Sequence, residues 1–464
     1  MDLFRKKDVT GSLEHESHLT KCLTLFDLTF LGVGAIIGAG IFVLTGIVAA
    51  TLTGPSIIFS YVVAGFACAF AALSYAELAA SVGGCGSAYG YAYAGFGELI
   101  AWIVGWDLLL EYSISVAAVS VGWSGYANDF LVALGLHVPS DLLHGPLDGG
   151  HVNILAISII SILTGLLIIG VKSSSRFNNA MVLIKLLVIF VFIAVAFGEV
   201  KLENWSTFMP FGWSGVMKGA SIIFFAYIGF DAVSTAAEEA INPQKDLPRG
   251  IIFSLAICTV IYMVVSLLLT GIAHYSTMNV PSPISHVLLN LGYKTVAGLV
   301  GIGAIAGLTT VMLVLFYGLT RVFLAMSRDG LLPRLLSKTN EHTHTPIRII
   351  LISGIIMASL ASVAPIGTLA ELVNIGTLFA FILVCGGVLY MRYTFPDMER
   401  PFKTPLMPYI PILGILSCLY LVINLPLVTL IRFLIWMAVG MIIYFAFGRT
   451  NSTLNADVST KTQS

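Results

Sequence analysis

Apolar stretches of membrane-spanning length recur along nearly the whole chain, and no other feature narrows the possible folds so far. They fall at roughly 26–51, 54–82, 95–130, 152–172, 176–199, 212–240, 248–273, 295–327, 346–364, 367–391, 406–424 and 427–448. A helix needs about 20 apolar residues to cross the hydrocarbon core. Backbone polar groups in lipid must be satisfied within the segment, so the expected fold is all-α: an integral membrane protein with twelve transmembrane helices. Of the 464 residues 58% are hydrophobic and 10% charged, against about 25% charged in soluble domains. Lipid must therefore solvate much of the surface.

Several function classes drop out at this point. A net charge of −1 gives no basic face for phosphates, so no nucleic-acid partner is expected. The cysteines Cys22, Cys68, Cys85, Cys258, Cys385 and Cys418 form no CxxC pair, and buried free thiols are expected rather than metal or disulfide roles. The nine histidines show no metal spacing, and no cofactor motif stands out. The polar first twenty residues do not read as a cleavable signal.

Positive charge sets the expected orientation. With the N-terminus cytoplasmic, seventeen of the twenty-three Lys and Arg residues fall in inside loops and tails, and only Lys201 and Lys294 fall outside. Both termini are then cytoplasmic, in a multi-pass protein of the cell membrane. Lys185, Lys218, Arg321 and Arg432 lie within spans. The last three sit near span ends and can snorkel to the interface. Lys185 lies about ten residues into its helix and cannot.

The first span carries glycine at 32, 34, 38 and 40, each costing about 1 kcal/mol against alanine in a helix. Close packing through small residues accounts for such a pattern, and a phosphate loop does not, because neither the preceding strand nor the following basic residue is present. The sixth span, Phe224-Phe225-Ala226-Tyr227-Ile228-Gly229-Phe230-Asp231, is followed by Glu238-Glu239 and has its own mid-membrane glycine beside an acid. Spans one and six are equivalent if the chain is two inverted five-helix repeats, and paired interrupted helices point to a transporter binding site. A break exposes amides that suit a carboxylate and carbonyls that suit an ammonium. Two facing breaks make a main-chain clamp for a zwitterion, and an α-amino acid is the simplest ligand.

Six segments together resemble the amino acid–polyamine–organocation transporter superfamily: GVGAIIGAGIF (32–42), YAEL (75–78), GSAYGYAY (86–93), FFAYIGFDAVSTAAEE (224–239), NPQKDLPRGI (242–251) and RVFLAMSRDGLLP (321–333). Within it the likeness is to the cationic amino acid transporter family in its bacterial-type twelve-helix form, over about residues 20–450. The resemblance implies broken helices 1 and 6 and a division into a tail (1–20), a first repeat (21–205), a second repeat (206–393), two further helices (394–449) and a second tail (450–464). It implies that amides of Ala39 and Gly40, beside Gly38, hold the substrate carboxylate. Carbonyls of Ile36, Phe225, Ala226 and Ile228 would hold its ammonium, with Phe225 also gating. Ala39 stands where relatives often carry Ser or Thr, so a hydroxyl contact is lost there. Bulk at Gly38 or Gly40 is expected to fill the carboxylate's space. Lys185 resembles the lysine that replaces a bound sodium ion in proton-coupled relatives.

A charge in hydrocarbon is costly, so Lys185 needs acceptors or must release its proton. The proton-coupling reading stands beside a structural one, in which Lys185 ties helix five to carbonyls of helix one. Asp231 is a second coupling candidate or a cap for amides at the break. Glu111, one turn from Asp107, approaches the cavity; Glu77 reads as a loop anchor, and Met312 narrows the side-chain pocket. The resulting expectation is proton-coupled symport of α-amino acids, small neutral ones favoured over cationic ones. The alternatives are a sodium-coupled carrier, an exchanger, a polytopic membrane enzyme or a non-transporting interaction protein. No nucleophile–base or metal constellation supports the enzyme. The sequence leaves the oligomeric state open.

Overall fold

The computed structural model describes Arg5 and residues 23–82, 88–170, 175–340, 343 and 345–454. The side chains of Glu238 and Glu239, most of both tails, and Cys22 and Cys85 lie outside the described residues. Helices carry the described chain in the order α1 (Leu25–Ile36), α2 (Thr45–Val48), α3 (Ile57–Val82), α4 (Ala88–Gly95), α5 (Glu98–Ala133), α6 (Ile154–Ile169), α7 (Ser175–Gly198) and α8 (Gly212–Ile223). They continue as α9 (Pro243–Ile272), α10 (Pro283–Asn290), α11 (Lys294–Arg328), α12 (Ile347–Val363), α13 (Ile366–Thr394), α14 (Tyr409–Ile423) and α15 (Leu427–Ile443). Among the described residues extended pairing is limited to an isolated bridge between Leu23 and Ala240.

Among the described residues seven helical stretches are long and apolar enough to cross a membrane: Leu25–Ser81, Glu98–Ala133, Asn179–Gly198, Pro243–Ile272, Lys294–Arg328, Ile366–Thr394 and Leu427–Asn451. α6, α12 and α14 are shorter apolar helices. The first stretch has 57 residues, which as one helix would measure about 85 Å, far beyond a core of about 30 Å. It must fold back, and Gly54, with φ 61 ahead of Pro55, is where the helix breaks. The short helices α4 and α10 had no spanning-length signature, and α9 starts five residues before the expected 248, taking Pro248 inside its first turns.

α1, α3, α8 and α9 pack together and α5 lies against α11 and α13, with large side chains such as Tyr61, Tyr227, Tyr262, Phe42 and Lys185 fully buried between them. The outer helices are different. α15 turns Leu427, Val428, Leu434, Ile435 and Ile442 outward, an apolar face that water would not support and lipid does. It is fastened to α5 through tryptophans: Trp106 stacks on Trp436 at 4.4 Å between ring centroids, and Trp102 Nε1 donates to Gly440 O at 3.0 Å.

Candidate substrate-binding site

α1 opens with a capping box, Thr24 and Asp27 exchanging side-chain and backbone hydrogen bonds, and runs to Ile36. It then stops. Ile37 turns extended (φ −73, ψ 100), and the chain resumes after Ala39 as a π-helix, Gly40–Leu44. The wider turn alters carbonyl pairing, and side chains serve the carbonyls there: Thr45 Oγ1 donates to Gly40 O at 3.1 Å and Tyr126 Oη to Phe42 O at 2.7 Å.

The second break lies beyond α8. Phe224–Tyr227 tightens to a 3-10 turn, Ile228 is extended, and Gly229 takes φ 114 before a 3-10 segment over Phe230–Glu239. That positive φ suits glycine. A side-chain carbon on Gly229 would also lie 3.0 Å from Ala35 C and O. The two breaks touch again at Gly40, where an added carbon would fall 2.4 Å from Ala226 Cα. The missing side chain of Gly40 thus makes room for the second broken helix. At Gly38 the nearest neighbour is the Val311 side chain of α11, at 3.4 Å.

Of the four basic residues within spans, Lys218, Arg321 and Arg432 are exposed, whereas Lys185 on α7 is fully buried. Its Nζ donates to the carbonyls of Gly34 (2.9 Å) and Ile37 (3.0 Å) at the end of α1, and reaches Gly307 O on α11 at 3.5 Å. α1 stops at Ile36, and a buried ammonium needs acceptors of this kind. Gly307 leaves room for the lysine stem, an added carbon there lying 3.4 Å from Lys185 Cε.

Two further side chains serve the breaks, and neither was expected from sequence. Tyr262 Oη on α9 lies 2.8 Å from Ile36 O and 2.8 Å from Ala226 O, joining the first break to the second. It belongs to a cluster with Tyr61 and Tyr227, ring centroids 5.2–6.2 Å apart. Asn374 Nδ2 on α13 donates to Ser221 O (2.7 Å) and Ile222 O (2.9 Å) in the last turn of α8. No local periodicity marks either residue, because the partners of Tyr262 lie 226 and 36 positions away.

The remaining candidates are placed as follows. Ile36, Ala39, Phe225, Ala226 and Ile228 are buried at the breaks; an added carbon on Gly122 would meet Ala39 Cβ at 3.5 Å, so Ala39 faces α5. Phe225 O accepts from Ile228 N at 3.3 Å. Met312 is buried on α11, next to the Val311 that faces Gly38. Tyr112 Oη donates to Asp231 Oδ2 at 3.3 Å. Glu111 and Asp107 are buried on α5; both Asp107 carboxyl oxygens and Glu111 Oε1 have no hydrogen-bond partner among the described residues. Glu77 anchors a loop: Arg392 donates to both its oxygens at 2.7 and 3.0 Å, and Thr404 N donates to Oε2 at 2.7 Å. Cys68, Cys258, Cys385 and Cys418 are buried free thiols. Among the described residues no group of three or more His, Cys, Asp or Glu side chains could hold a metal.

A membrane protein whose two interrupted helices abut, their carbonyls served by side chains from neighbouring helices, is built as a carrier, and the family follows from comparison with known proteins. Residues 23–448 match the family model described as amino acid permease, and the chain belongs to that family, within the amino acid–polyamine–organocation superfamily. It is 51% identical to a branched-chain amino acid permease of Bacillus subtilis, across 98% of this chain and 99% of that one. It is 48% identical to a methylthioribose transporter of the same organism, covering 98% and 99%. A vacuolar cationic amino acid transporter of Arabidopsis thaliana is 38% identical, covering 82% of this chain and 64% of the relative. The chain is thus a multi-pass transporter and not an enzyme.

Proposed function

We propose that this chain is a proton-coupled symporter of neutral α-amino acids, crossing the cell membrane twelve times with both termini cytoplasmic. The observation that carries this is the ammonium of Lys185 seated on Gly34 and Ile37 carbonyls at the first break. A cation built into the chain there takes the acceptors that a bound sodium ion would need, and only a proton can load and leave it. An obligate exchanger needs no such titratable group. A charged lysine at mid-membrane costs about 2.5–3.5 kcal/mol even on insertion scales, so the contact is expected to loosen when the proton departs and let α1 and α7 separate.

Two inverted five-helix repeats, 21–205 and 206–393, are supported by the matching roles of Lys185 and Asn374. Each lies about ten residues into the helix that would close its repeat, and each serves carbonyls at the end of a broken helix. In this reading amides of Ala39 and Gly40 take the substrate carboxylate, and carbonyls at the two breaks take its ammonium. Val43, Ile366 and Ala39 pack around Gly122 and make these surroundings apolar, and the branched-chain relative fits an aliphatic side chain. Asp231 and Glu111 are the remaining coupling and side-chain-charge candidates.

A panel in proteoliposomes tests this. Alanine, valine and leucine are expected to compete for uptake of labelled alanine, while their methyl esters and N-acetyl forms are expected not to. Equal competition by a methyl ester, or by methylthioribose in place of every amino acid, would refute the zwitterion clamp.

A further inference from the structure

One hydroxyl between two carbonyls has a consequence for recognition. Tyr262 Oη has a single proton, yet it lies at hydrogen-bonding distance from both Ile36 O and Ala226 O, 2.8 Å each. It is fully buried, as are Ile36 and Ala226. At any instant the proton serves one carbonyl and leaves the other short of a donor, and an unserved buried acceptor is costly. The two carbonyls belong to different broken helices. Each is also among those nominated above for the substrate ammonium.

We propose that Tyr262 is a positioning and specificity-determining residue: it holds the two breaks in register and donates to whichever carbonyl the substrate ammonium leaves unserved. The inference rests on the zwitterion reading and deepens it. The hydroxyl can turn to either side, so one N–H of a primary ammonium suffices for the pair. The remaining N–H bonds are then free for Phe225 and Ile228. A substrate with fewer N–H bonds leaves one acceptor short, and selectivity for primary amines follows from the donor count rather than from pocket shape. The neighbouring tyrosines support this geometry: Tyr227 Oη donates to Tyr61 O at 2.8 Å, and Tyr61 Oη pairs with Thr45 Oγ1 at 2.7 Å, so both hydroxyls are engaged elsewhere.

Competition against labelled L-alanine, by L-alanine and by N-methyl-L-alanine, is measured for three full-length proteins: wild type, Tyr262→Phe, and a variant with 4-aminophenylalanine at position 262. Tyr262→Phe removes the donor and keeps the ring, so affinity for L-alanine should fall about three- to tenfold. The amino group supplies two N–H donors, one for each carbonyl. It should restore L-alanine affinity and narrow the preference for the primary over the N-methyl amine by about threefold. A merely structural tyrosine would not move that preference. Wild-type affinity in Tyr262→Phe, or an unchanged preference in the amino variant, overturns the donor count alone. Wild-type protein that binds neither compound overturns the amino acid reading and the donor count with it.

Discussion

The two broken helices solve one problem with different chemistry. At the first, the carbonyls at the end of α1 are held by Lys185, a donor that can lose its proton. At the second, the carbonyls at the end of α8 are held by Asn374, a donor that cannot. The backbones differ in the same sense. The first break is short and resumes as a wide π-turn, whereas the second gives way to 3-10 geometry over Phe230–Glu239 and depends on Gly229 at φ 114. A carrier needs one side that responds to the proton and one that stays put. The proposed assignment is α1 and α7 as the responsive pair, with α8 and α13 as the frame.

Substitutions at the contact between the breaks should separate them. The largest effect is expected for Gly40→Ala, which drives a carbon against the Ala226 backbone. Overpacking of this kind costs about 1–3 kcal/mol, and a lowered Tm in detergent together with lost uptake would show it. An unaltered protein would mean that the breaks do not abut. A smaller effect is expected for Asn374→Leu. Removing both N–H donors should lower uptake about tenfold while leaving the dependence on outside pH unchanged; a shifted pH profile would make the second break the titrating one. The smallest is Gly38→Ala, whose new carbon meets only the Val311 side chain at 3.4 Å. Uptake should stay within about twofold of wild type, and complete loss would mean that even one added carbon at Gly38 intrudes on the carboxylate's space.

Much of this was legible in the sequence because membrane helices announce themselves by length, and interrupted ones by glycine. The spans at 95–130 and 295–327 were found to within a few residues of α5 and α11. The first break falls where glycine clusters and the second at a lone mid-membrane glycine, Gly229, and Lys185 was the one intramembrane cation that could not reach an interface. The contact at Gly40 was not legible, because no local pattern says that residue 226 packs against residue 40. Tyr262 and Asn374 were missed for the same cause: each is a single polar side chain in an apolar helix, and its meaning lies in distant carbonyls. Glu111 and Asp107 were flagged by charge alone, and packing adds that three of their four carboxyl oxygens lack a partner among the described residues.

The central claim is that Lys185 carries the coupled proton, and lumenal pH reports on it directly. Wild type and Lys185→Met are reconstituted in sodium-free proteoliposomes holding a pH dye, with the membrane potential clamped, and L-alanine is added outside. Wild-type vesicles should acidify as alanine enters. With the outside one pH unit more acidic they should accumulate alanine by up to about tenfold, the limit for one proton per substrate. The methionine variant should neither acidify the lumen nor accumulate alanine above equilibrium. Acidification and accumulation by Lys185→Met at wild-type levels would contradict the account and move the proton to Asp231 or Glu111.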